Sequence, residues 1–431
     1  MSNSSPADYL TGRWQYLLHQ FFNRIWFRAS LFSFGAIAVA LLAGFFGHYV
    51  PVPFQLELAA GSVDDILTIL ASSMLAVTTF SLSIMVNAYA LAATNSTPRA
   101  TSLLVADSVA SNTLSTFIGS FLFAVVGIVG LSAGLYGESG RVILFIATLF
   151  VLFLVTAALL RWVEQLTHFG RVGDTIRRVE TAGAQVAESW ARQPRFGACP
   201  PPDDVAEGAA PVCRDRTGYI QHIDIEALND CAHDCGAMIH VQCMPGDFVG
   251  PDTVLAFVPA ELTDRMEKAI AACFTVGPTR SFDQDPKYAL IVLSEIASRA
   301  LSPGINDPGT AIQVLGAGVR VFEAYCDGAD EEIAPTYERV TAPDIPYHEL
   351  LEDFFNPIAR DGGGMLEVQV RLQRALEMIA VANEVRFGEP AKRLAALALK
   401  RSLNRLDSNL ERTRLRKVFY WTVPEELENG G

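Results

Sequence analysis

Long runs of this 431-residue sequence contain no charged residue at all. Charged residues make up 19% of the chain, below the roughly 25% usual in soluble proteins. The deficit sits in the first third. Residues 1–165 carry seven acids and six bases, a net of −1, so −13 of the formal −14 falls beyond them. Cysteine is absent from the first 198 residues. Catalytic signatures are missing too: there is no G-x-G-x-x-G after a strand, no G-x-x-x-x-G-K-[ST] and no H-E-x-x-H. His348-Glu349-Leu350-Leu351-Glu352 lacks the second histidine of a zincin. These absences exclude a collagenous, disordered or disulfide-stapled secreted chain. They make an enzyme the least favoured class, imply no cofactor, and set an acidic second half against nucleic acid as a partner.

The uncharged runs are Ala29 to Leu56, Ile66 to Pro98, Ser108 to Gly137 and Val142 to Leu160. Crossing a hydrocarbon core takes roughly 20 helical residues, so each is long enough to span a bilayer. The first has about twice the apolar length of a secretory signal and no convincing small-x-small cleavage site, so it reads as a retained anchor. Arg13, Arg24 and Arg28 precede the first run, and no Lys or Arg lies between Tyr49 and Val63. Arg161, Arg171, Arg177 and Arg178 follow the fourth. The positive-inside rule then puts both termini in the cytoplasm.

The second run is over-long, and its polar side chains are ordered. At 100° per residue, Ser72, Ala76, Thr79, Ser83, Asn87, Ala90 and Thr94 fall within an arc of about 80°. Leu70, Val77, Phe80, Ile84 and Leu91 are assigned to the opposite side. The stripe serves either close helix packing with shared hydrogen bonds or the wall of an aqueous path, with Asn87 its most polar element. In the third run Gly119, Gly127, Gly130 and Gly134 gather within roughly 80°. That face favours close helix contact, within the bundle or between subunits.

Past the spans, Val172 to Arg192 reads as a polar neck helix, and Gln193 to Pro211, rich in proline, as a flexible loop. Strand patterns follow over Gly218–Ile225, Ala237–Gln242 and Phe248–Val258, with a short helix over Glu226–Cys235. Helical patterns run over Glu261–Phe274, Lys287–Leu301, Thr310–Cys326, Met365–Asn383 and a long stretch from Pro390 to about Lys417. Glu332–Arg339 with Val340–Ile345 returns a short strand. In the joint Leu301-Ser-Pro-Gly-Ile-Asn-Asp-Pro308, Asp307 is a helix cap followed by proline in the first turn.

The run from Arg299 through that joint to Ala311 resembles the signature of a bacterial family of predicted membrane proteins known only as a domain of unknown function, number twenty-two fifty-four. Supporting matches are Arg280 with Asp285 and Pro286, Pro245-Gly-Asp-Phe-Val249, Gly218-Tyr-Ile220 and Pro98-Arg99. The resemblance covers nearly the whole chain. It implies a multi-span inner-membrane protein with a cytosolic domain, and no known activity.

Two clusters carry possible chemistry. Cys231, Cys235, His240 and Cys243 are residue types that suit zinc, though His233 points away from the two helical cysteines, and free thiols are the default in a reducing compartment. Arg280, Asp285, Arg299, Ser302, Asn306 and Asp307 form either a buried turn that fixes how two helices meet or an anion or ligand pocket bound by Arg280 and Arg299.

The expected fold is therefore a bundle of four transmembrane helices followed by a mixed α/β cytosolic domain. Its parts are a cytosolic segment (1–28), the four-span domain (29–165), neck and linker (166–211), a β-rich module (212–260) and a mainly helical domain (261–431). The expected partners are the lipid bilayer and further copies of the chain. The expected function is an oligomeric ion or small-solute channel with a cytosolic vestibule or gate; the alternative is a membrane-anchored sensor or scaffold whose cytosolic domain binds a ligand or protein.

Overall fold

A computed structural model describes residues 25–46, 62–105, 108–167, 170–204, 208–259, 261–326, 333–419 and 421. The chain divides into two compact units. One holds the described parts of Leu17–Thr94 and Thr101–Asp174; the other holds Asn95–Ala100 and the described residues from Thr175 onward.

The first unit is entirely helical: α1 Ile25–Phe46, α2 Ser62–Asn95, the short α3 Thr101–Val105, α4 Ser108–Ser132 and α5 Glu138–Leu166. Among the described residues, α2, α4 and α5 are long and apolar enough to cross a membrane. Their length follows from composition, since no charge interrupts the apolar runs and every backbone group is satisfied within the helix. The expected first span, Ala29 to Leu56, coincides with α1 up to Phe46 and then passes outside the described residues. Phe117, Phe123, Leu67 and Leu144 are fully buried in the centre of this unit.

The second unit is mixed. The neck helix α6 spans Val172–Arg192, with the bounds its amphipathic pattern predicts. Strands β1 Ala198–Cys199, β2 Ala210–Val212, β3 Gly218–Ile223, β4 Ile239–Val241, β5 Phe248–Val249, β6 Ala256–Val258, β7 Phe274–Gly277 and β8 Tyr337–Thr341 are interleaved with α7 Ile225–Cys235 and α8 Asp264–Ala272. They build a five-stranded sheet in the order β1-β8-β4-β6-β2 and a three-stranded sheet in the order β5-β3-β7. The β-rich region is thus not confined to 212–260, because β1, β2, β7 and β8 come from outside or from its edge.

Gln193–Pro211 is not a plain loop. Arg195, Phe196 and Gly197 all take positive φ, turning the chain from α6 into β1, and β2 begins at Ala210. The helical pattern over Glu261–Phe274 also stops early. Cys273 caps α8, and Phe274 starts β7, where its fully buried ring joins the core between the sheets.

Helices α9 Tyr288–Ala300, α10 Pro308–Cys326, α11 Tyr347–Asp361, α12 Leu366–Ala382, α13 Glu389–Leu403 and α14 Asn409–Val418 complete the unit. The expected single helix from Pro390 to Lys417 is two, broken at 404–408. Their core is aromatic. Phe322 lies 6.0 Å from Phe354 and 5.5 Å from Phe387, both edge-on, a geometry that aligns ring edges with ring faces. Gly318 makes this possible, since a Cβ there would overlap the Phe354 ring.

Candidate functional site

All seven residues of the polar stripe lie on the outward side of α2 and are exposed. The inward side is Val63, Leu67, Leu70, Met74, Met85 and Ala88, all buried. Among the described residues, the stripe therefore does not pack against the other helices of its own chain. Phe80 and Leu91, assigned by pattern to the opposite side, are 66% and 54% exposed and flank the stripe. The hydroxyls of Ser72, Thr79 and Thr94 donate to the carbonyls of Thr68, Leu75 and Ala90, each at 2.9 Å, so they are satisfied within the helix. Asn87 is different. Its carboxamide offers two N–H donors, and among the described residues it has no hydrogen-bond partner.

The glycine face works inside the first unit. A Cβ on Gly119 would stand 3.3 Å from the Phe32 carbonyl of α1, and one on Gly127 3.0 Å from Leu67 of α2. Gly130 makes room for the Tyr136 ring, while Gly134, at φ +69, ends the helix with nothing against it. Three of the four glycines are thus used for contacts within one chain.

In the second unit, the set expected as one turn or pocket separates in two. Arg280 and Asp285 form a buried ion pair, with Nε to Oδ2 at 2.7 Å and Nη2 to Oδ1 at 2.8 Å. The Asp285 side chain is 1% exposed. Its Oδ1 also accepts the backbone N–H groups of Lys287 and Tyr288 at 3.0 and 3.1 Å, capping the start of α9. Burial pushes the Asp285 carboxyl up, and Arg280 with those two N–H groups opposes it. Burial also works against the Arg280 charge, but Asp285 outweighs it and holds the guanidinium above its ordinary value. Gly246, at φ +98, lies against both side chains, where a Cβ would overlap them. Its N–H donates to the Ile220 carbonyl at 2.8 Å, and Ile220 N–H returns to the Asp247 carbonyl at 3.0 Å. The Pro245-Gly-Asp turn, the Gly218-Tyr-Ile strand and the Arg280–Asp285 pair thus meet at one place.

The other half of the set is not buried. Arg299, Asn306 and Asp307 are exposed and Ser302 is half-buried. The turn is braced from within: Asp307 N–H bonds the Ala300 carbonyl at 2.8 Å, and Ser302 Oγ bonds the Arg299 carbonyl at 2.6 Å. Asn306 takes φ +50, a conformation asparagine tolerates better than most residues. Asp307 caps α10 as its position requires, accepting the Thr310 N–H at 3.1 Å and the Thr310 hydroxyl at 2.6 Å. Those bonds, the hydroxyl foremost, hold its carboxyl below the ordinary range.

The cysteine and histidine candidates are dispersed. Cys231 is buried, and its thiol is drawn down by a hydrogen bond with Cys273, a residue outside the expected set. Burial raises Cys235 and pushes Cys243 up to about 11. His240 faces the Thr341 hydroxyl at 3.0 Å across the β4–β8 pair, and burial lowers its pKa. Among the described residues no group of three His, Cys, Asp or Glu is placed to hold a metal ion.

One residue escaped sequence reasoning. Glu295, in the middle of α9, accepts the Thr97 hydroxyl at 2.9 Å on one oxygen and Arg99 Nη1 at 2.5 Å on the other. Thr97 is buried. The segment that follows α2 is therefore clamped onto the helix that leads into the exposed joint. Pro98-Arg99 is visible as a motif, but nothing local marks its partner.

The family described as "Predicted membrane protein (DUF2254)" matches residues 23–378. An uncharacterized protein of Mycobacterium bovis and one of Mycobacterium tuberculosis are each 26% identical over 219 residues, covering 47% of this chain. The matched stretch spans 40% of the length of each relative. No solved structure matches the chain.

Proposed function

The chain belongs to the DUF2254 family of predicted membrane proteins, and on that basis we propose that it is a four-span inner-membrane protein whose copies assemble around an aqueous path lined by the α2 stripe. Both termini and the α/β unit face the cytoplasm, with α1 as the fourth span. The observation that carries this reading is the outward position of Asn87. A carboxamide left in hydrocarbon without a partner costs several kcal/mol, whereas the back-bonded hydroxyls beside it cost little. Water in a shared pore, or the same stripe on a neighbouring copy, removes that cost. Leu75, Leu82 and Val86 on the same outward side supply the apolar flanks by which neighbouring copies would pack. The α/β unit then serves as vestibule or gate, and within it the Glu295 clamp holds Thr97 and Arg99 of the segment that follows α2.

Single-channel recording of the purified full-length chain in planar bilayers tests this. The expected outcome is a conductance that Asn87→Leu and Ser83→Leu each reduce, while Ile146→Leu, exposed on α5 rather than on the stripe helix, leaves it unchanged. A chain that never conducts, or whose conductance ignores both stripe variants, sinks the pore reading.

A further inference from the structure

The chain is acidic overall, yet residues 389–418 hold nine Lys or Arg against three Asp or Glu. This stretch is α13, α14 and the turn between them. Its net charge of +6 leaves −20 on the rest of the chain. Little of the positive charge is neutralised internally. Lys392 approaches Glu389 at 3.8 Å, Arg405 donates to the Arg360 carbonyl, and Arg412 donates to the Leu406 carbonyl at 2.8 Å. Among the described residues, no ion pair or hydrogen bond engages the side chains of Arg393, Lys400, Arg401, Arg414, Arg416 or Lys417. All but Arg401 are exposed.

The second helix of the pair is two-sided. Leu415 is fully buried and Phe419 is buried, so one side is anchored in the unit. Leu410, 79% exposed, begins the other side, with Arg414 and Lys417 following at i+4 and i+7 on the same face. An exposed leucine among unpaired bases is the pattern of a helix that rests in a headgroup layer, where the apolar side chain enters the interface and the cations meet phosphate.

We propose that the basic face of α13–α14 binds anionic phospholipid headgroups of the bilayer that the same chain enters. Charge complementarity selects the partner class: four to eight Lys or Arg on an amphipathic helix are drawn to an anionic leaflet. Membership of a membrane family keeps that leaflet within reach of the face at high effective concentration. A headgroup layer is laterally mobile and adapts to a small patch. A polyanion such as nucleic acid extends beyond a patch of this size and is repelled by the −20 that the rest of the chain carries. The competing occupant is the acidic surface of a second copy. The proposal stands whether or not the chain conducts.

The test is amine acetylation of the full-length chain held one copy per lipid nanodisc, read by mass spectrometry at Lys400 and Lys417. Lys268, exposed on α8, is the internal control. Replacing pure phosphatidylcholine by a mixture with phosphatidylglycerol is expected to slow acetylation of Lys417 relative to Lys268 by roughly tenfold. High salt is expected to restore it. The Arg414→Glu/Arg416→Glu variant, altered only at exposed positions, is expected to lose the lipid dependence. Equal labelling in both lipids overturns the proposal. Protection that ignores lipid charge and grows with the number of copies per disc also overturns it, and assigns the face to a second copy.

Discussion

Arg280 meets both oxygens of Asp285, at 2.7 and 2.8 Å, with Gly246 against the pair and the first N–H groups of α9 on the same carboxylate. A bidentate ion pair with two further N–H donors is how a buried carboxylate recovers the hydration it gives up. The pair ties a turn of the β-rich region to the start of a core helix. Its distance from the exposed Arg299–Asp307 turn explains why six family-motif residues do not make one pocket.

Removing one partner leaves the other buried without a counter-charge. Arg280→Ala is therefore expected to destabilise the second unit by about 3 kcal/mol, the low end of the range for buried pairs, because Arg280 keeps 20% of its side chain exposed. Arg280→Lys is expected to recover only part of this, since an ammonium cannot match both carboxylate oxygens in one plane. Denaturant unfolding of the purified chain, followed by tryptophan fluorescence, reads both variants. An unchanged midpoint in Arg280→Ala would show that the pair contributes nothing net.

Much of this fold was legible, and the parts that were not share a physical cause. The neck helix Val172–Arg192 reads off its bounds because its buried positions Ile176, Val179 and Ala187 repeat at helical spacing. Asp307 reads as a cap because an Asp-Pro pair has one favourable placement at a helix start. The strands β1 and β2 do not read, because two and three residues give no period, and Pro211 hides an edge position where a missing N–H costs nothing. Helix α11 is concealed by Pro357 inside it. At the site, Asn87 was legible as a stripe member, but its outward direction was not, since periodicity shows that one face differs without saying which face is covered. Glu295 was invisible because its partners lie 198 and 196 residues away.

The clamp on Glu295 has its own consequence. Thr97 is buried, so losing its acceptor leaves a hydroxyl to be desolvated without return, at about 1–3 kcal/mol. Glu295→Ala is expected to speed amide exchange of Ala100, whose N–H bonds the Thr97 carbonyl at 3.2 Å, by roughly tenfold to a hundredfold. Glu295→Gln keeps an acceptor for Thr97 and is expected to speed it less. Exchange at Ala100 that is identical in the three proteins would show that the segment is held by other contacts.

The Cys243 thiol supplies a pH test. Its folded value of about 11 lies above the ordinary thiol value of 9.0, with burial the main cause and Asp247 beside it adding to the rise. The fold therefore favours the protonated form. This contribution is fully present below the unfolded value and is lost as pH climbs from about 9 through about 11. Its size is roughly 2–3 kcal/mol, at 1.36 kcal/mol per unit. Thiolate is the reactive species, so Cys243 is expected to resist iodoacetamide at neutral pH in the folded chain and to react promptly once unfolded. Peptide mapping after alkylation at pH 7.5 checks this, and labelling of Cys243 as fast as that of a free thiol in the native protein would contradict it.

Two glycines of α10, two positions apart, are expected to respond to alanine with opposite signs. Gly318 faces the ring of Phe354, which a Cβ would overlap, and that ring is fully buried among Phe322 and Phe355. It has nowhere to retreat, so Gly318→Ala is expected to cost about 1–3 kcal/mol through overpacking, less whatever helix propensity returns. Gly316 has no such neighbour, since the nearest atoms to a built Cβ are the guanidinium ends of Arg320 at 3.6 Å and Arg371 at 3.8 Å, both ordinary contacts. There alanine removes the backbone freedom of a mid-helix glycine without a clash, so Gly316→Ala is expected to stabilise by up to about 1 kcal/mol. The comparison is internal, because both substitutions add one methyl group to the same helix and differ only in what stands opposite. Thermal unfolding of the two variants beside the parent decides it. If both shift the midpoint in the same direction, the packing of Phe354 against α10 is not the determinant that the close approach at Gly318 makes it.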